Sequence, residues 1–351
     1  MSVHPILFLG GSGAIGHRSA EALRAAYPGV PLLIGGRDLA KAEQAAEEMG
    51  GAQGVVIDPA ADDLGLGDRP VSAVAVFYMD HSLAGLRFAQ RRKVPHLSIS
   101  SGIFEMAPQI ASYIHRPDAA PIVLGYEWMV GATTVATLHL AEAFARVRDI
   151  RIDALVDEQD GGGPTVAKDF EHLNKLLPAA LTRREGDYLW REGADKNVSF
   201  RALDGTPMQA SGFSSIDVTG LAAATDAPNV QFNLASGVSS SRRAGRPMST
   251  EILIELLGED HQGRPLHTRH ALVHPAGAAA LTGLSVAMLL ERLLGLDGQP
   301  PTPAGLYFPY QLLDAGAYLQ RLSKRVVNCW NCKCSNRSAQ HRRLAAHSGR
   351  R

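Results

Sequence analysis

A doubly wound parallel α/β sheet carrying an inserted α+β second domain is the fold class predicted by three features of this 351-residue sequence. The apolar run Ile6-Leu7-Phe8-Leu9 leads straight into the turn Gly10-Gly11-Ser12-Gly13-Ala14-Ile15-Gly16, and a helical pattern follows. Short apolar runs then recur as far as residue 124. Near residue 150 the pattern changes, and Ile150-Arg151-Ile152-Asp153-Ala154 alternates apolar with charged residues. Continuous apolar runs suit strands covered by helices on both faces, whereas alternation suits a sheet with one covered face.

The first element is thus a strand, a tight glycine turn and a helix N-terminus. In such a turn Gly11 allows the bend, Gly13 lets backbone N–H groups approach a pyrophosphate, and Gly16 lets the helix pack closely. The helix's positive end faces the phosphates, with Ser12, Ala14 and Ile15 lining the approach. This is the dinucleotide-binding pattern of a Rossmann domain; a glycine-rich turn without a ligand is the plainer alternative. The second strand, Pro31-Leu32-Leu33-Ile34, ends in Gly35-Gly36-Arg37-Asp38, where such a fold reads the ribose. Gly36 leaves space and Arg37 supplies a planar charged fork for a 2′-phosphate, which favours NADP (NADPH) over NAD. In the competing reading Asp38 accepts from the ribose and Arg37 is a surface charge. Asp38 is better used as the N-cap of a helix predicted over 39–49.

Strand three, Gly54-Val55-Val56-Ile57, ends at Asp58, and strand four, predicted over 71–77, ends at Phe77. Both end residues are assigned to the cofactor. Tyr78-Met79-Asp80-His81 follows on the edge where open α/β sheets bind ligands. Strand five, His96-Leu97-Ser98-Ile99, leads into Ser100-Ser101-Gly102, and strand six, Ile122-Val123-Leu124, into Gly125-Tyr126-Glu127-Trp128. A helical pattern then runs from Thr134 through Phe144. In the middle region, strands are predicted over 198–203, 230–234, 251–257 and 266–273, with a helix over 168–177 after the glycine linker 161–164. Helix returns at 276–294. The domains predicted are 1–147 (nucleotide-binding), 148–274 (α+β, substrate and dimerisation), 275–322 (helices returning to the first domain) and 323–351, a basic tail.

Composition sets the function class. Formal net charge is zero, 20% of residues are charged and 45% hydrophobic, so no global field draws the chain to nucleic acid or to acidic lipid. The N-terminus lacks a secretory pattern and no run reaches the ~18 apolar residues that span a bilayer, so a cytoplasmic location with no membrane partner is expected. The cysteines, Cys329, Cys332 and Cys334, all lie in the tail with His341 and His347. Their spacing matches no standard zinc finger, and the composition reads as a disordered extension rather than a metal site or a nucleic-acid arm.

The turn, the GGRD end of strand two, Ser98-Ile99-Ser100, Gly125-Tyr126-Glu127 and the late "GLYFPYQLL" segment at 305–313 together resemble the saccharopine dehydrogenase (saccharopine reductase) family over residues 4–322. The resemblance implies a pyridine-nucleotide reductase that forms or cleaves a secondary amine through an imine, with a dimer-forming second domain. Family members commonly carry an acidic residue where Ser98 stands and a proline-glycine pair where Trp128-Met129 stands. A relative reducing another imine, iminium or carbonyl compound is therefore expected.

Hydride transfer needs a shaped pocket and a proton donor. His81 is the first candidate donor because imidazole is the side chain that can exchange a proton near neutrality and this one stands at the ligand edge; a backbone-bonded helix-start histidine is the alternative. Tyr78 donates through its phenol or packs on the nicotinamide. Glu127 holds a substrate ammonium or iminium group with Trp128 offering a ring face, or else Glu127 pairs with an arginine and Trp128 is core. Ser100 and Ser101 bind a substrate carboxylate or cap the next helix. Arg242-Arg243 clamp an anion or lie in a solvated loop. The expected function is NADPH-dependent reduction of an imine, iminium or carbonyl group in a small amine or amino-acid-like metabolite, by a homodimer. The alternatives are a ketone or enoyl reductase on a polyketide-like substrate and a non-catalytic NADP-binding sensor or scaffold.

Overall fold

Burial on both faces accounts for the first sheet. In the computed structural model, which describes residues 4–99, 106–160, 179–323 and 330–331, β1 (Ile6–Leu9) is buried at every position. It is followed by α1 (Ala14–Ala26), β2 (Leu32–Gly36), α2 (Leu39–Met49), β3 (Ala52–Val56), β4 (Ala73–Val76), α3 (Ala84–Arg92), β5 (His96–Ser98), α4 (Met106–His115), β6 (Pro121–Leu124) and α5 (Ala132–Ala141). The α2 helix starts where its sequence predicts. The Asp38 carboxylate accepts from the Lys41 N–H at 3.3 Å and caps it.

The helix expected to run through Phe144 stops at Ala141, and Phe144 already opens β7 (Phe144–Asp157). Phe144, Val147 and Ile150 are all buried at a spacing that imitates a helix face. Register shifts at Leu257/Gly258 and Glu259/Asp260 of the neighbouring strand turn them inward instead. The second sheet continues with β8 (Ala180–Arg184), β9 (Asp187–Arg191), β10 (Asn197–Arg201), β11 (Pro207–Gly212), β12 (Asn229–Gly237), β13 (Thr250–Asp260) and β14 (Pro265–His274). A helix, Asp217–Thr225, precedes β12. After the helix Gly277–Leu294 the chain returns to the first sheet as β15 (Gly305–Tyr307), a strand the sequence reading lacked.

The first sheet is ordered β15-β6-β5-β4-β1-β2-β3, with every pairing parallel. Strand order reverses between β1 and β4, and the glycine turn lies above that point, where such sheets bind ligands. In the second sheet β7 pairs parallel with β12 and antiparallel with β13, so the sheet is mixed. The fold is therefore a Rossmann α/β domain with an inserted α+β domain. One core runs from Ala20 and Leu23 of α1 through Leu284 and Leu289 of the Gly277–Leu294 helix to Ile152 and Ile254 of the second sheet. By length and composition alone that helix is apolar enough to cross a membrane, but most of it is buried inside the fold. Gly283 makes its contact with α1 possible: a Cβ there would lie 2.6 Å from Arg18 Cβ.

In the tail, β16 (Trp330–Asn331) pairs antiparallel with Ala271 and His270. The linker 161–164, the helix expected over 168–177, Ser100, Ser101, and the three cysteines lie outside the described residues.

Candidate functional site

Four glycines shape the turn, each for a different reason. Gly10, not Gly11, takes the left-handed conformation, with φ of 74°. A Cβ on Gly11 would lie 2.7 Å from Phe8 Cβ, and one on Gly16 only 2.1 Å from the Gly11 carbonyl oxygen. The close approach at Gly16 is thus between α1 and its own turn. A Cβ on Gly13 would meet only the Gly10 carbonyl oxygen, at 3.9 Å, and stands over open space. Gly13 is also the N-cap of α1 and contributes no side-chain bond. The first intrahelical bond runs from the His17 N–H to the Gly13 carbonyl at 3.0 Å. The amides of Ala14, Ile15 and Gly16 consequently lie ahead of the helical ladder, the arrangement that receives an anion. Ser12, Gly13 and Ala14 are exposed.

At the end of β2, Arg37 is exposed and forms no ion pair among the described residues. A Cβ on Gly36 would meet nothing closer than 3.8 Å, which leaves room beside the guanidinium. Asp38 is committed to the α2 cap and lies 3.9 Å from Lys41 Nζ. Asp58 is exposed beyond β3, with Oδ1 accepting from the Ala60 N–H at 2.9 Å.

In the loop after β4, the Phe77 side chain is buried, its ring centroid 4.9 Å from that of Phe8, so its ring packs into the core. Tyr78 lies across the glycine turn, where Cδ1 would be 2.7 Å from a Cβ on Gly10. Burial, reinforced by the Asp80 charge, pushes its phenol up to about 12, and the nearby Arg37 charge offsets this only in part. Tyr78 is therefore placed to pack on the turn rather than to give up a proton near neutrality. Asp80 caps α3, accepting from the Gly85 N–H at 2.9 Å and from the Ser82 hydroxyl at 2.8 Å. His81 is exposed in that turn and its backbone N–H donates to Met79 O at 3.2 Å.

Beyond β5 and β6 the side chains are buried and tied together. Ser98 Oγ lies 2.5 Å from Tyr126 Oη and donates to Gln109 Oε1 at 3.2 Å, and Gln109 Nε2 donates to Tyr126 Oη. Glu127 is 2% exposed and accepts from the Thr134 hydroxyl at 2.9 Å. Burial first, then the charge of Asp217, holds its carboxyl well above the usual range. It is therefore neither an exposed counter-ion for a substrate ammonium nor, among the described residues, the partner of an arginine. Trp128 is half-buried, and its ring packs 5.5 Å from Phe213 and 5.4 Å from Phe232. Its backbone N–H donates to Asp217 Oδ2 at 2.7 Å. Asp217, which the sequence reading missed, is wholly buried. The anion clamp is also withdrawn: Arg242 pairs with Asp157 at 2.8 Å and Arg243 with Asp204 at 2.6 Å.

No family model matches the chain and no curated protein does. Among solved structures, an apo saccharopine dehydrogenase (L-Glu forming) from Saccharomyces cerevisiae superposes with a TM-score of 0.63 at 13% identity, covering 92% of this chain and 97% of that one. This chain has the saccharopine dehydrogenase fold. The same fold is shared with a homospermidine synthase from Legionella pneumophila, solved with NAD, at a TM-score of 0.62 and 9% identity over 97% of this chain and 94% of that one.

Proposed function

We propose that the protein is an NADPH-dependent oxidoreductase that reduces an imine, iminium or carbonyl group of a small amine or amino-acid-like metabolite. The observation that carries this reading is the α1 N-terminus, where open space over Gly13 meets amides without a side-chain cap. A dinucleotide fits that cradle. The amides of Ala14, Ile15 and Gly16 would hold its pyrophosphate, and Arg37 beside Gly36 would hold a 2′-phosphate. When bound, the reduced nicotinamide supplies a hydride. Tyr78 braces the turn, and among the described residues His81, exposed at the rim, is the candidate to move a proton. An iminium substrate needs little acid catalysis, so orientation by the pocket does most of the work. The chain is proposed to act as a homodimer through its second domain, which sedimentation tests as a mass of two chains.

A panel of cyclic imines, amine–aldehyde pairs and ketones, followed by NADPH oxidation, tests the activity. Turnover that falls in His81→Ala with NADPH affinity intact is the expected result. The commitment of Tyr78, Glu127 and Asp80 to packing and capping favours one second reading, a nucleotide-binding protein without turnover, and NADPH binding with no activity across the panel would establish it.

A further inference from the structure

The turn at 127–131 is held in an unfavourable conformation. Met129, Val130 and Gly131 follow one another in the left-handed region, with φ of 51°, 57° and 92°. Single glycines visit that region easily, whereas a β-branched valine does so at a cost, and such strain persists only where surrounding contacts over-determine it. The contacts here come from three parts of the chain. Val130 N–H donates to the Glu127 carbonyl at 2.8 Å. The Thr134 hydroxyl of α5 holds Glu127 Oε2 at 2.9 Å. From the second domain Asp217 Oδ2 accepts from the Trp128 N–H at 2.7 Å and from the Ser215 hydroxyl.

Each of these two carboxyls keeps one oxygen buried without a hydrogen bond of good geometry, Glu127 Oε1 and Asp217 Oδ1; the Tyr310 backbone amide bears on Glu127 and the Thr133 hydroxyl on Asp217. Neither forms an ion pair among the described residues. The other titratable group bearing on Glu127 is Tyr310, from the segment after β15, and burial holds it protonated. Thr133 and Thr134 of α5 and Ser215 bring hydroxyls only. Two buried carboxylates close enough to feel each other's charge, with no cation beside them, are costly unless one keeps its proton.

We propose that buried Glu127 keeps its proton while Asp217 is ionised, and that this carboxyl pair is a clasp between the two domains that positions Trp128 by holding the left-handed turn closed. Asp217 receives the Trp128 amide, and Glu127, held by Thr134, stays neutral beside it. On the alkaline side that proton passes to solvent, the two charges repel, and the turn relaxes. Burial raises both carboxyls, Asp217 to about 6 and Glu127 further. A raised carboxyl stabilises the fold below its unfolded value and loses that stabilisation as pH rises, so the clasp weakens toward alkaline pH. The effect on turnover rests on the proposed reductase site, since Trp128 flanks it; the clasp itself does not.

The test uses the full chain with Trp190 and Trp330 replaced by phenylalanine, without cofactor or substrate, so that failure of the reductase reading leaves it intact. Trp128 emission and acrylamide quenching are followed from pH 5 to about 10, which spans the raised carboxyl range. An alkaline red shift below the global unfolding pH is expected, absent in Glu127→Gln and in Asp217→Asn. Asp217→Asn keeps an acceptor for the Trp128 amide and should retain the neutral-pH emission that Asp217→Ala loses. An unchanged alkaline transition in folded Glu127→Gln, or no transition in the parent, would overturn the proposal. If Glu127→Gln does not fold, the infrared band of a protonated carboxyl, assigned by ¹³C-glutamate labelling, decides instead. It should be present at neutral pH and vanish with the Trp128 transition, and its absence at neutral pH would overturn the clasp.

Discussion

Replacing Gly13 with alanine separates the turn's structural work from its binding work. The backbone at Gly13 has φ of −84° and ψ of 171°, which alanine adopts freely, and the added methyl meets only the Gly10 carbonyl oxygen at 3.9 Å. The fold should lose no more than about 1 kcal/mol, the usual difference between glycine and alanine as an N-cap. The same methyl occupies the space over which a pyrophosphate approaches the α1 amides. Losing one charge-assisted hydrogen bond of about 1.5–3 kcal/mol weakens binding roughly 10- to 150-fold. Gly16→Ala is the control, because its methyl would lie 2.1 Å from the Gly11 carbonyl oxygen and must distort the turn. Overpacking of that kind costs about 1–3 kcal/mol of stability or more. Urea unfolding and NADPH titration by nucleotide fluorescence measure both quantities on both variants. NADPH binding by Gly13→Ala at the wild-type Kd would refute the assignment of this turn to the cofactor.

Three further outcomes follow from the placement of individual side chains. Tyr78→Phe should keep turnover within about threefold of wild type, since removing an exposed or spectator hydroxyl costs little; a loss of two orders of magnitude would restore the phenol as the proton donor. Asp157 is buried, yet bonds from Ser239, Gln159 and Arg242 outweigh burial and hold its carboxyl at about 2. A depressed carboxyl stabilises the fold above its ordinary value and loses that contribution as pH falls toward 2, so acid unfolding of Asp157→Asn should be shallower across that range and its stability at neutral pH lower. Arg242→Ala, followed by the same acid titration, should shift Asp157 upward and move the acid transition of the protein to higher pH.

The nucleotide half of the molecule was legible because its signals are local. Ile6 to Leu9 is apolar throughout and buried throughout, and Asp38 before an alanine-rich run is a cap in sequence and in structure. What sequence reading missed depends on contacts between distant residues. Phe77 ends a strand at the ligand edge, but only the position of Phe8 across the sheet decides that its ring turns into the core. Phe144, Val147 and Ile150 imitate a helix because the extra residues Ala145 and Arg148 of β7, which let them face one way, show as bulges only once the strand is paired with β13. Asp217 matters through the Trp128 amide, 89 residues away. A local signal did exist, since Ser215 two residues before an acidic first turn is a helix start, but nothing local ties that helix to Glu127.

The central claim is that this turn and Arg37 together bind NADPH, and side-by-side titration of wild type and Arg37→Ala with NADPH and NADH tests it most directly. Wild type should prefer NADPH, and Arg37→Ala should lose that preference while its NADH affinity stays unchanged. Equal affinity of wild type for the two nucleotides, or binding of neither, would contradict the account.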